Sequence, residues 1–560
     1  MVGASWFLGA WRFWSLCSFG SRFGGVTGGE VIWALWLRKN WSLSFLLIKH
    51  NFSILTLLAS EGKDSWNVYR FLLISRMMQQ GLLDGEYADG SDGCRWGVMA
   101  KMDYDLITIG AGGGAYPAAF RLAHAGMRVL MVDWKGVMSG NCLAEGCVPS
   151  KAVREVAEQW GRQRRFSSFG LKGEIAFDFL AMMEHKDSVQ RLRYEQHDQE
   201  LSRTPGLSLL KGAARMISGH EVSVLTDEGE KRFSGQSILI ASGSDVFIPP
   251  IPGVNLCLTS HDLYKLDSPI QSSPSSLVVI GGGYVGLETA TFFASFGTSV
   301  TVLEMGDALL PGVDPEIVAM LVPQLSSSIT TVLSSQVLSV SLRGDGKRIV
   351  RYRQNHEEAD VVAEMVFLAA GRRPVIPDGV REIGVVMSQK GIAVDDRMRT
   401  NIPHIFACGD VNGKTPLFHA AVRQSLVCAH QIMGGDFSSD RMDFESVPTT
   451  VFTLPAASYV GLTPSVLKER KILFKRASYL FEEDSRAQIF GETGGGVHLF
   501  FHFETLKLLG GYVVGIDAEN LIGEIGLAVS AGLSARDLAS FADQHPMASE
   551  GISRAARSFF

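Results

Sequence analysis

Apolar residues follow two patterns along this chain. From about residue 103 onward they form short unbroken runs that end at glycine turns or acids. "DLITIG" (105–110) and "VLMVD" (129–133) are examples, with an alanine-rich stretch between them. Unbroken runs of this length read as strands buried on both faces, and the order strand, glycine turn, helix, strand predicts a parallel α/β unit. The first hundred residues differ. Runs such as "VIWALWL" (31–37) and "FSILTLLA" (52–59) are broken by "RKN" and "KHN". A membrane-spanning helix needs about 18 apolar residues with few charges. The window 41–60 comes near, but Lys49 and His50 interrupt it. It also lacks a clear small-residue cleavage site after one apolar core, so it is a poor signal peptide. Eight of the ten tryptophans lie in this part: Trp6, Trp11, Trp14, Trp33, Trp36, Trp41, Trp66 and Trp96. Three readings stand for residues 1–98: upstream sequence that the native protein lacks, a peripheral membrane-contacting segment, or an extra folded element. "MAKMDYDLITIGAG" reads as a natural start at Met99 or Met102, and a chain begun at Met99 is expected to fold.

The glycine turn after the first run has the spacing Gly110-x-Gly112-x-x-Ala115. The first glycine makes a tight turn. The second lets backbone approach a pyrophosphate, and the small third residue lets helix and strand pack closely. Phosphates then sit at a helix N-terminus, where free N–H groups and the dipole favour negative charge. Pro117 fits only within the first turn of that helix. Asp133, 23 residues past Gly110, closes the second strand, where a carboxylate accepts hydrogen bonds from a ribose. The whole pattern recurs in 275–307, with Gly281-x-Gly283-x-x-Gly286 and, again 23 residues on, Glu304. Two units imply two nucleotides, one a bound redox cofactor and the other an exchangeable carrier. Glu304 accepts from a free 2′-hydroxyl and repels a 2′-phosphate, and no Arg or Lys follows in "EMGD" to hold that phosphate. NAD is therefore expected over NADP.

A chain of 560 residues implies about three or four domains. Its 46% hydrophobic and 20% charged composition is ordinary for a globular protein, and a net charge of −6 gives no footprint for nucleic acid. Seven cysteines are too few for a secreted disulfide scaffold of this length. Cys17, Cys94, Cys257, Cys408 and Cys428 are scattered, while Cys142 and Cys147 lie five apart in "SGNCLAEGCVPSKA" (139–152). That pair reads as a redox couple, as half a metal site, or as two unrelated core thiols.

From about residue 103 to the end, the landmarks stand in one order: "GAGGGA", "GNCLAEGCVPSK", "ASGS" (241–244), "GGGYVGLE", "AAGRRP" (369–374), "ACGDV" (407–411), "VPTTVFTLPAASYVGLT" and "HPMASE" (545–550). Together they resemble the pyridine nucleotide–disulfide oxidoreductase family and, within it, the dihydrolipoamide dehydrogenases. The resemblance implies an α/β fold with two Rossmann-like nucleotide-binding domains, one for FAD and one for NAD. It places the FAD-binding domain at 99–250 and 376–443, with the NAD-binding domain inserted at 251–375. A C-terminal α+β dimerisation domain follows at 444–560. It also implies roles. Gly110, Gly112, Ala115, Asp133, Lys151, Ser242, Gly243 and Asp410 match positions around FAD. Gly281, Gly283, Gly286, Glu304 and Gly371 match positions around NAD, and Glu288 matches an acid that pairs with Lys151 near the flavin. The sequence departs from the family at Met547, where threonine is usual, at Ala456, and in "GNCLAEGC".

The resemblance makes Cys142 and Cys147 an active-site disulfide, with Cys142 the outer, exchanging sulfur and Cys147 the inner one against the flavin. A helix start there favours thiolate. No second Cys/His pair follows to complete a zinc site, so no metal is expected. His545 is the expected base, oriented by Glu550. The implied reaction passes electrons from a dithiol, dihydrolipoamide before others, through the cysteines and FAD to NAD. The implied partners are a second copy of the chain, a small dithiol or lipoyl-protein substrate, and a 2-oxo acid dehydrogenase complex. The implied location is cytoplasmic, with no nucleic acid partner. Rival readings are a mercuric-reductase-like or other NAD(P)H-dependent disulfide reductase, a non-catalytic flavin-binding assembly component, and a flavoprotein tethered to a membrane by residues 1–98.

Overall fold

In the computed structural model, the described residues are 102–560, together with the backbone of Ile32–Lys39 and Ser42–Lys49, two strands paired antiparallel. The readings of residues 1–98 otherwise lie outside the described residues.

The first sheet is parallel at its centre. Strands run in the order Leu207–Lys211, Val129–Asp133, Tyr104–Ile109, Gly229–Ile240, and all four pair parallel there. Residues 106–109 and 129–132 are buried along their whole length because both faces are covered. On one face lie the helices Tyr116–His124 and Phe418–Met433, which supply Ala118, Ala119, Leu122 and Val427 to the core around Leu106, Met131 and Leu239. Pro117 falls in the first turn of the former helix, where a missing N–H costs nothing. On the other face lies an antiparallel layer, Ala213–Met216, Glu221–Thr226 and the start of Gly229–Ile240. A fifth parallel strand, Ile405–Ala407, pairs with Ile238–Ile240. The chain thus returns to its first sheet after building a second one.

That second sheet repeats the plan. Strands Ile329–Val332, Ser299–Leu303, Ser276–Ile280 and Met365–Leu368 are all parallel. Helix Tyr284–Ser295 packs Leu287, Ala290 and Phe293 on one face. The antiparallel strands Ser335–Leu342, Arg348–Gln354 and Glu357–Ala363 put Val340, Val350 and Ala363 on the other. The internal repeat therefore extends beyond the glycine loops to the covering layer.

The C-terminal part is a five-stranded antiparallel sheet in the order Thr449–Val451, Ala457–Gly461, Leu508–Val514, Gly496–His502, Phe474–Leu480. Alternate residues face opposite ways. Val497, Leu499, Phe501 and Val513 meet helices Ala518–Ala531 and Glu550–Arg557. Phe500, Tyr512 and Val514 join a core that also holds Phe292, Ile317, Val153 and Ala157. The last two belong to helix Cys147–Arg162, so the cysteine helix is packed into the same core as the second nucleotide unit and the C-terminal sheet.

Candidate active site

The two glycine loops share one geometry. Gly110 has φ +106°, and a Cβ there would lie 2.3 Å from the Ala241 carbonyl oxygen. Gly281 has φ +109°, and its Cβ would lie 2.4 Å from the Ala369 oxygen. At both places only glycine meets the turn. Ala115 is fully buried, and at Gly286 a Cβ would come within 2.0 Å of the Gly281 oxygen, which lets helix lie directly on strand. Gly283 borders open space, and a Cβ on Gly112 would touch only Gly140, at ordinary contact distance. Both loops fit a dinucleotide phosphate at the helix that follows. The acids have a structural duty that the sequence reading did not include. Asp133 Oδ2 accepts from Ala111 N–H at 3.2 Å, and Oδ1 accepts from Lys135 at 2.9 Å and Gly136 at 3.1 Å. Glu304 accepts from Gly282 and Gly306 N–H, each at 2.6 Å. Each acid braces its own glycine loop. We expect Gly110→Ala to cost at least about 2 kcal/mol through strain and overlap, read as loss of yellow, FAD-loaded protein at purification. Normal flavin content in this variant would refute the cradle.

The cysteine loop is tied to the first glycine loop. Ser139 N–H donates to Ala111 O at 3.0 Å, and Gly112 bridges Ser139 in parallel register. A short helix, Gly140–Ala144, holds Cys142 and stops, and a new helix, Cys147–Arg162, starts at Cys147 itself. Cys147 is exposed and Cys142 half-buried. Contact with the Cys147 sulfur and partial desolvation hold the Cys142 thiol above the ordinary thiol range. The contact with Cys142, helped by Lys151, holds Cys147 below that range against the opposing charge of Glu288. The arrangement favours thiolate at Cys147, the first residue of a helix.

Lys151 is one turn further along. Its Nζ donates to Glu288 Oε2 at 2.8 Å and lies 4.1 Å over the Phe452 ring. Glu288 Oε1 in turn accepts from the Phe452 N–H at 3.0 Å. One carboxylate thus joins the cysteine helix, the second nucleotide unit and the C-terminal part. Phe452 was missed in the sequence, where nothing marks its backbone N–H as a partner. Around Asp410, Ser244 donates its hydroxyl at 2.5 Å, and Arg372 Nε donates to that same hydroxyl at 2.9 Å. Ser242 donates to Val375 O at 2.6 Å. Gly243 and Gly371 have φ +72° and +108°, with open space beside them. Gly114 packs against the Cys408 carbonyl, which sets the turn before Asp410 onto the first glycine loop.

His545 and Glu550 stand apart from these groups. His545 Nδ1 meets Glu550 Oε1 at 2.8 Å. Burial pushes the Glu550 carboxyl up, but the Met547 N–H, the Arg554 guanidinium and His545 together hold it below its ordinary value. Arg554 donates at 2.9 Å from one turn along the same helix. It was missed, although its i,i+4 spacing from Glu550 was a readable signal. The His545 side chain is 64% exposed, and among the described residues it makes no hydrogen bond to the cysteine loop. Among those residues there is also no helix long and apolar enough to cross a membrane, and no cluster of three metal-ligating side chains.

Two dinucleotide units and a cysteine pair five residues apart at a helix start define an oxidoreductase that acts on sulfur through nucleotide cofactors. Residues 104–425 match the pyridine nucleotide-disulphide oxidoreductase family, and 447–556 match the dimerisation domain of that family. The chain belongs to this family, and with it uses FAD and NAD. It is 31% identical over 459 residues to the dihydrolipoyl dehydrogenase of Geobacillus stearothermophilus, covering 81% of this chain and 96% of that one. It is also 31% identical to the mitochondrial dihydrolipoyl dehydrogenase 2 of Arabidopsis thaliana, covering 81% and 90%. In structure it resembles the HOCl-induced flavoprotein disulfide reductase RclA of Escherichia coli, solved as a Cu(II) complex, with TM-score 0.72, 25% identity and coverage of 81% and 99%. It shares the fold of LpdA from Mycobacterium tuberculosis, with TM-score 0.75, 22% identity and the same coverages of 81% and 99%.

Proposed function

We propose that the chain is a dihydrolipoyl dehydrogenase-like enzyme. It takes two electrons from a dithiol, most naturally a lipoyl group, into a Cys142–Cys147 disulfide and delivers them to NAD. The observation that carries this reading is the broken helix. It brings Cys142 back beside Cys147, which sits at a helix start next to the Lys151–Glu288 pair. A substrate thiolate attacks Cys142, the Cys142–Cys147 bond breaks, and Cys147 leaves as thiolate. The second substrate thiol then displaces Cys142, so the substrate ends as a disulfide and the protein as a dithiol. His545 takes the proton of the first thiol, the proton of the second passes to the Cys142 sulfur as it leaves, and Glu550 holds the ring by Nδ1 and steadies its charged form. Lys151 offsets the negative charge left on Cys147. FAD and NAD, held at the glycine loops of Gly110 and Gly281, would supply the acceptors for this electron pair when bound. The proposal includes a homodimer, a cytoplasmic location and a 2-oxo acid dehydrogenase complex as partner.

A second reading is a disulfide reductase that runs electrons from NADH outward through the same cysteines. The likeness to RclA and the departures at Ala456 and Met547 favour it. Stopped-flow reduction by dihydrolipoamide, compared with NADH oxidation by small disulfides, separates the two. Dehydrogenase turnover at least tenfold faster than disulfide reduction supports the first, and the reverse order overturns it. Glu304 supplies a further check. Its Oε1 and Oε2 each accept a single loop N–H, leaving lone pairs for a ribose hydroxyl. We expect wild-type kcat/KM to favour NAD, and Glu304→Arg to reduce that preference at least about tenfold, as loss of about 1.4 kcal/mol of discrimination does. A wild-type preference for NADP would refute the reading.

A further inference from the structure

Helix Phe179–Ser202 takes no part in the electron path, yet it carries two fully buried polar side chains, Lys186 and Gln190, each 0% exposed and one turn apart. Gln190 Nε2 donates to Leu143 O at 2.9 Å and to Ala144 O at 3.0 Å. Its Oε1 accepts from Lys186 Nζ at 3.0 Å. Lys186 also donates to Lys265 O at 2.7 Å and to Tyr264 O at 3.4 Å, and it pairs with Asp187. An ammonium only donates, so the amide of Gln190 has one allowed orientation, with its two N–H groups toward the loop.

Those two carbonyls belong to the segment between the cysteines. Leu143 and Ala144 end the short helix Gly140–Ala144, and the last carbonyls of a helix have no donor within it. The helix has to stop there. Glu145 has φ −155°, Gly146 has φ −128° and ψ −114°, and only this break lets the next helix begin at Cys147, with its sulfur back at Cys142. A Cβ on Gly146 would lie 2.8 Å from Asn141 O, so the break is tight. Gln190 caps the broken end from the protein interior, and Lys186 fixes Gln190.

We infer that Lys186 and Gln190 are positioning residues that hold the Cys142–Cys147 segment in its broken-helix shape and so set the redox potential of the pair. The inference rests on the reading of these cysteines as a redox couple. In the disulfide the bond itself keeps the sulfurs together. In the dithiol only the surrounding structure does, and each sulfur then acts at high effective concentration on the other. Without the clamp the dithiol gains freedom that the disulfide does not, and the equilibrium with an external dithiol moves toward the reduced protein.

The test uses the full-length, FAD-loaded protein equilibrated in mixtures of reduced and oxidised dithiothreitol. The fraction of Cys142 and Cys147 alkylated is read by mass. Exchange is balanced: the protein disulfide and dithiothreitol give the protein dithiol and cyclic oxidised dithiothreitol. Gln190→Met keeps volume and removes both donors. We expect its equilibrium constant to shift about tenfold toward dithiol, which is about 30 mV for a two-electron couple, at unchanged FAD content. Lys186→Arg keeps the buried cation but displaces its donors from Gln190, and should shift the constant in the same direction by at least threefold. It decides the matter where Gln190→Met yields no flavin-loaded protein. Constants within twofold of wild type in the variants that load FAD overturn the clamp. A wild-type protein that gains no pair of alkylatable thiols at any mixture, and so matches Cys142→Ser, refutes the redox-couple reading itself instead.

Discussion

Cys147→Ser is expected to purify yellow and to have no measurable dithiol-dependent reduction of NAD, a loss of at least about 10³-fold in kcat. A serine hydroxyl forms no disulfide, and at neutral pH it is not an anion that Lys151 and a helix start could stabilise. Cys142→Ser should lose turnover to the same extent but differ in its spectrum. Cys147 would remain beside Lys151 at the first position of Cys147–Arg162. A thiolate there, set against bound FAD, gives a long-wavelength charge-transfer absorption that grows as pH rises through its pKa. The partner variant has no sulfur in that place and should show none. The asymmetry follows from position, because Cys147 and not Cys142 begins the helix that carries Lys151. Identical spectra for the two variants would reverse or abolish the assignment, and turnover of Cys147→Ser within tenfold of wild type would remove the disulfide from the mechanism.

The parts of this site that were readable in the sequence are those where chemistry allows few residue types at fixed spacing. Gly110 and Gly281 were readable because a turn with φ near +100° beneath a neighbouring carbonyl admits only glycine. The cysteine pair was readable through its rarity and through the family order of the surrounding landmarks. The split of the first sheet was implied by resemblance alone. Nothing in "IFA" (405–407) marks it as the strand that returns beside Ile238–Ile240. Residues that act through backbone groups were not readable. Gln190 reaches carbonyls 46 and 47 positions away, and its helix carries buried polar residues on no simple apolar face. The meeting of Glu288 with Phe452 N–H, 164 positions apart, depends on how the C-terminal sheet lies against the second nucleotide unit, and hydrophobic periodicity does not specify such docking. Asp133 and Glu304 were sought for one reason and are seen to serve another. The carboxylate at the strand end was sought as a ribose acceptor, while each also closes its own loop through backbone N–H groups.

A mixture of two inactive proteins, Cys142→Ser and His545→Ala, is expected to regain about a quarter of wild-type activity once subunits exchange. His545 lies about 400 residues from the cysteines, on the C-terminal part that matches the family's dimerisation domain. Its ring is 64% exposed and held outward by Glu550, which Arg554 and the Met547 N–H brace in turn. We expect a base so held to have its target on another copy of the chain. Two-fold interfaces bring one patch against its copy and are the commonest in homo-oligomers. Each parent should be weak on its own, His545→Ala by about 10²–10⁴-fold through loss of proton transfer. In a mixed dimer one site carries both defects, and the other pairs intact cysteines with an intact histidine. Random exchange makes about half the dimers mixed, each with one good site of two. Native mass spectrometry verifies the mixed species, and NAD reduction by dihydrolipoamide reads the recovery. Verified mixed dimers as inactive as their parents would place the base within its own chain, or on a residue other than His545.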